Sequence, residues 1–118
     1  MFDHASGRWF ASEITTTSTG NKVLLGRSNS DDPTGTWKGV SFTANSGFGD
    51  YDTLGLDADA VYIGTNNFTS STGSLTVVSL FSIPKADLLA NTPSITNMTS
   101  FENLDANARG FTLQGAVN

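Results

Sequence analysis

The chain has 118 residues, with 6 basic and 11 acidic side chains, a formal charge of −5 and a pI near 4.4. That balance argues against a nucleic-acid binder, which needs a basic patch for phosphates, and against a polybasic membrane-surface protein. The lack of Cys excludes a disulfide scaffold, a thiolate metal site and a cysteine nucleophile, and the single His4 argues against a His-rich metal site or a Ser-His-Asp triad.

Only 14% of residues are charged, whereas Thr (16), Ser (14), Gly (12) and Asn (10) are abundant. Small neutral polar residues of this kind suit strands and tight turns. The first predicted strand, 8–16, alternates and carries aromatic and β-branched residues. Ser18-Thr19-Gly20-Asn21 turns the chain into a second strand, 22–30. Asp31-Asp32-Pro33-Thr34-Gly35 is the next turn, with Pro33 presetting φ and Gly35 expected to supply φ > 0 at its end. In the third strand, 36–43, Trp37, Gly39 and Ser41 share one face and Lys38, Val40 and Phe42 the other. A Gly/Asn/Ser loop spans 44–49.

The pattern then restarts. A short strand is expected over 51–56, a turn at 57–59 and a strong strand over 60–68. A turn at 69–73 leads into a nearly continuous apolar strand, 74–83. Pro84 stops it, and 85–90 is the one helix-like piece. An edge strand is expected over 95–101 and a last strand over 110–117. The apolar stretch at 75–83 is broken by Thr76, Ser79 and Ser82, so nothing approaches the ~18 apolar residues of a membrane span.

The two halves repeat. Trp9 corresponds to Val61 at an offset of 52, and Leu24-Leu25 to Val77-Val78 at an offset of 53. A period of ~40–50 residues with about four strands per unit is the signature of a β-propeller blade. The expected fold is therefore all-β, a partial propeller of four-stranded antiparallel blades, with a β-sandwich as the alternative. Residues 1–48 would be a partial blade lacking its innermost strand, 49–106 a blade, and 107–118 the start of the next blade or a ring-closing strand. Repeat units need neighbours to cover their apolar faces. The expected partners are thus copies of this chain closing a ring, most simply as a trimer, or the missing blades of a longer chain.

Four segments carry a family resemblance: Gly7-Arg8-Trp9-Phe10, then 28–37 (Ser-Asn-Ser-Asp-Asp-Pro-Thr-Gly-Thr-Trp), then Asp50-Tyr51-Asp52-Thr53-Leu54-Gly55, then 61–68 (Val-Tyr-Ile-Gly-Thr-Asn-Asn-Phe). Together they resemble a set of secreted or cell-surface bacterial β-propeller proteins. Ser30 to Trp37 is also similar to the sialidase Asp-box hairpin, with one extra residue between Asp32 and Gly35. In that motif Asp and Ser bond the turn backbone and the Trp packs between blades. Asp57-Ala58-Asp59-Ala60-Val61-Tyr62 is similar to a segment of arabinanase-type propeller glycosidases. The resemblance implies a non-catalytic structural or binding module, with carbohydrate or protein surfaces as partners. The alternative it implies is a piece of a propeller glycoside hydrolase. Residues 2–8 lack the basic flank and apolar core of a leader. The chain as written therefore reads as cytoplasmic or as a piece continuing upstream, while its Ser/Thr/Asn richness and three Lys suit a secreted or surface location.

Asp50, Asp52, Asp57 and Asp59 form the densest acidic group. They would supply Ca²⁺ with oxygen ligands if they converge. Asp57 or Asp59 would otherwise be the base or nucleophile of a glycosidase, which requires a second carboxyl group ~5–9.5 Å away. The plainer reading, and the favoured one, is turn capping. A glycosidase acid would have to come from Glu13 or Glu102, the two Glu present. No other cofactor is expected. Trp9 and Tyr62, with Trp37, Tyr51 and Phe68, are either core or a sugar-stacking platform, and core is favoured. Arg8 and Arg27 are able to hold a ligand carboxylate, but salt bridges to Asp are the simpler expectation. Asn67-Phe68-Thr69 and Asn97-Met98-Thr99 match the N-glycosylation pattern.

Overall fold

The computed structural model describes residues 1–44 and 46–116. Among them, eight strands form two four-stranded antiparallel sheets, each built from consecutive strands in simple succession. The first sheet comprises β1 (Phe2–Asp3), β2 (Arg8–Ile14), β3 (Lys22–Ser28) and β4 (Trp37–Thr43). The second comprises β5 (Phe48–Leu56), β6 (Ala60–Phe68), β7 (Leu75–Pro84) and β8 (Thr99–Asp105). Helix α1 (Lys85–Leu89) follows β7, and the single turn α2 (Ala106–Arg109) follows β8. The protein is all-β, and the repeat seen in the sequence is a repeat of one four-strand unit.

Alternation sets the buried face. In β2–β4, Phe10, Val23, Leu25 and Phe42 point inward, and Lys38 and Val40 lie on the same face as Phe42. From the second sheet, Leu56, Val61, Ile63, Phe81 and Ile83 meet them, and Leu88 of α1 closes the same cluster. The rings of Phe42 and Phe81 touch across the two sheets with centroids 4.8 Å apart. Burying such rings is worth roughly 1.5–3 kcal/mol each, so this shared layer is the main tie between the sheets.

Polar clips fix the two ends of that layer. At one end the Asn21 side chain pairs with the Gly49 backbone as a peptide would, donating to its carbonyl and accepting from its N–H, both at 2.8 Å. Ser71 N–H donates to the Ser18 carbonyl beside it. At the other end Lys85 Nζ meets Asp3 Oδ2 at 3.1 Å, and both side chains are buried.

Several expectations need correction. The first unit does not lack an inner strand: Phe2–Asp3 pairs with Trp9 and Arg8. Two residues are too few to show alternation, and the pairing is held by Met1, whose amine donates to the Phe10 carbonyl. β5 begins at Phe48 rather than 51, because Gly49 joins the ladder opposite Asn67. The edge strand is 99–105, not 95–101. Ile95 and Met98 pack against the core from a turn instead. No strand forms over 110–116, and Val117 lies outside the described residues. Thr112 has φ 56°, which breaks an extended run. Residues 112–115 instead cross the outer face of the second sheet. Thr112 N–H donates to Asn66 Oδ1, Thr53 Oγ1 donates to the Leu113 carbonyl, and Gly115 lies on Gly55. A Cβ at Gly55 would sit 2.7 Å from Gly115, so the glycines permit that contact.

Candidate functional site

Asp57 opens the turn between β5 and β6. Its Oδ1 accepts from Asp59 N–H and Ala60 N–H, both at 2.9 Å, and its Oδ2 accepts from Tyr62 Oη–H at 2.8 Å. The two backbone N–H groups and the phenol hold the Asp57 carboxyl below its ordinary range. The same bond from the other side, with burial and the charge of Asp57, pushes the Tyr62 phenol up. Asp57 is thus an ionised turn cap with both oxygens engaged.

Tyr62 also borders a cleft of about 380 Å³ on the outer face of the second sheet, walled by Leu80 and Phe101 and by Gln114 to Ala116 of the crossing segment. Its lining is mostly apolar. Glu13 and Glu102 lie exposed on β2 and β8, and neither lines this cleft.

The other acidic candidates are dispersed. Asp50 Oδ1 accepts from Tyr51 N–H at a bulge in β5, where Tyr51 takes φ 51°, and Asp52 lies within the same bulge. Asp59 is exposed and lends its carbonyl to Lys85 N–H. Among the described residues, no three His, Asp or Glu side chains form a group able to hold a metal ion. The convergence of Asp50, Asp52, Asp57 and Asp59 required for Ca²⁺ is therefore not formed. Asp50 and Asp57 are each tied to their own local backbone instead. Thermal melts in millimolar CaCl₂ and in EGTA are expected to superimpose. A midpoint that climbs with CaCl₂ concentration would instead reveal a native-state site.

Trp9 and Arg27 lie on neighbouring strands but point to opposite faces of the first sheet, and Tyr62 belongs to the second. Trp9 donates from Nε1 to the Asp31 carbonyl and packs against Phe2. Tyr62 lies beside the apolar cleft of the second sheet. Arg27 points inward and is 6% exposed. Its Nε donates to the Leu88 carbonyl at 3.0 Å and its Nη2 to the Ala90 carbonyl at 2.9 Å, while Nη1 bonds Asn29 Oδ1. The expected salt bridge to Asp is replaced by a clamp on the end of α1, where cations suit the exposed carbonyls.

The Asp-box-like hairpin behaves as turn chemistry. Asp32 Oδ1 accepts from Thr34 N–H and Oγ1–H, which lowers its carboxyl's pKa, and Ser30 Oγ accepts from Asp32 N–H. Trp37 is 38% exposed on the outer face of the first sheet rather than packed between the two sheets, and Nε1 donates to the Pro33 carbonyl. Of the aromatic set, Trp37 and Tyr51 are exposed and the others half-buried, so the core is built from Phe10, Phe42 and Phe81 instead. Asn67 is fully buried, bonding Ser79 and Thr65, and is closed to a glycan in the folded chain.

No protein-family model, curated protein or solved structure matches this chain.

Proposed function

We propose that the chain is a non-catalytic structural or binding module built as two propeller-like blades of a ring. The observation that carries this is the strand order. Each sheet is a meander of consecutive strands, repeated at the 52–53 residue offset, with no strand crossing between sheets. Sandwiches of the immunoglobulin type instead exchange strands between sheets by Greek-key connections. Blades stack face to face, as these two sheets do through Phe42 and Phe81.

The outer faces support the same reading. Leu24 (37% exposed) and Trp37 remain open on the first sheet. On the second, Phe101 is 57% exposed beside the Tyr62 cleft. Exposed apolar surface at both ends of a two-blade arc is what a neighbouring blade would cover. Three chains would supply six blades, within the usual ~4–8. With Asp57 engaged as a turn cap, nothing at this site favours the glycosidase reading. A secreted or surface setting with protein or carbohydrate contacts fits a module of this kind.

Light scattering coupled to size exclusion tests the ring. The expected mass is about 37 kDa, three times the 12.4 kDa of one chain. A well-folded monomer would overturn ring closure by this chain alone.

A further inference from the structure

The inward face of the first sheet ends in a cluster of cations. Arg27 on β3 pairs directly opposite Phe10 of β2 and Lys38 of β4, and Arg8 precedes Phe10 by two residues on the same strand. Alternation therefore puts Arg8, Arg27 and Lys38 on one face, with Arg27 and Lys38 directly opposite and Arg8 opposite Asp3, whose carboxylate is taken by Lys85. Together with Asn29, Leu89 and Asn91 they line one cleft of about 390 Å³. These are three of the six basic residues in a chain of charge −5.

Among the described residues, none of the three has a carboxylate within ion-pair distance; the pair formed is Lys85 with Asp3. Their hydrogen bonds go to neutral oxygens. Arg8 donates to the Gly7 carbonyl, and Lys38 to the Asn91 carbonyl at 2.6 Å and to Asn91 Oδ1 at 3.0 Å. Arg27 is clamped on α1 as described above and nearly buried. A buried guanidinium facing two further cations is an unbalanced charge arrangement unless an anion joins it.

We propose that this cleft binds a small ligand through a phosphate or sulfate group. Three cations match a doubly charged tetrahedral oxyanion better than a single carboxylate. Arg27 is already fixed by its clamp, Arg8 offers a planar fork, and Lys38 adds a mobile point charge. The volume exceeds that of a bare ion and suits a monoester of a small polar molecule. The chain's net charge of −5 disfavours anions over the surface at large, so a local group of three cations stands out.

Calorimetric titration at low ionic strength tests this with inorganic phosphate, glucose 6-phosphate and glucuronate, each against matched chloride. Saturable binding of phosphate or of the ester is expected, weakening with salt. Binding of the ester alone assigns the site to esters, and equal binding of both assigns it to the free ion's chemistry. The double variant Arg8→Gln/Lys38→Met changes side chains outside the core and should weaken binding at least about tenfold with an unchanged circular dichroism spectrum. Arg109→Gln, exposed on α2, should leave binding intact. The proposal is overturned by absence of saturable phosphate and ester binding, by glucuronate binding as well as phosphate, or by equal losses in the Arg109 and the double variants.

Discussion

Lys85→Met is expected to cost about 3–5 kcal/mol, because it strands the Asp3 carboxylate in a buried position without its cation. The pair joins β1 of the first sheet to α1 of the second unit, so its loss also loosens one end of the shared core. Asp3 has further donors: Ser6 Oγ at 2.5 Å and the N–H groups of Ala5 and Ser6. Burial pushes the Asp3 carboxyl up, but Ser6, Lys85 and the Ala5 N–H outweigh it, so its pKa is lowered from 3.8. A depressed folded pKa means a stabilisation fully present above the unfolded value and lost as pH falls through the folded one. The wild type should therefore lose this contribution below about pH 4. In Lys85→Met the lowering is weakened while burial remains, so the Asp3 proton returns at higher pH and relieves the stranded charge. The stability gap between the two proteins should shrink on going from about pH 7 to about pH 3.5. Urea unfolding at both values measures it. Adding Asp3→Asn to Lys85→Met should recover part of the loss at neutral pH. A gap of under about 1 kcal/mol at neutral pH would mean that the pair is solvated.

The strands with regular alternation were legible because side-chain period and turn chemistry agree there. Lys38, Val40 and Phe42 could be assigned to one face from spacing alone, and the Asp31 to Gly35 turn from its residues. What escaped was set by tertiary contacts. Phe2–Asp3 is a strand because Met1 and Phe10 exchange two hydrogen bonds, which no local pattern encodes. Thr99–Asp105 is almost wholly exposed, and its two large apolar residues, Phe101 and Leu104, stand three apart, off the period of two that marks a strand. The turn-capping role of Asp57 was readable from its place between two strands. The cation cluster was not, since it depends on the register that sets Arg27 opposite Lys38. Nor could sequence assign Arg27 to carbonyls 61 and 63 residues away.

Phe81→Ala should cost about 3–5 kcal/mol, the usual loss for a buried aromatic ring cut to a methyl. Against a total of ~5–15 kcal/mol for a domain, that is a large fraction. The more informative outcome is where the loss is felt. Phe81 belongs to β7 of the second sheet, whereas both tryptophans, Trp9 and Trp37, belong to the first. Phe42 of the first sheet meets Phe81 at 4.8 Å and is itself 5% exposed. If the shared layer makes the two sheets one cooperative unit, tryptophan fluorescence must register a mutation in the sheet that holds no tryptophan. Urea unfolding of Phe81→Ala should then shift the fluorescence and circular dichroism midpoints together. Phe42→Ala should do the same, and the double variant should lose less than the sum of the two by roughly 0.5–1.5 kcal/mol, the coupling typical of an aromatic pair. A fluorescence midpoint unmoved by Phe81→Ala would show that the sheets unfold independently. The interface between them would then be a contact between finished units rather than a core that both require.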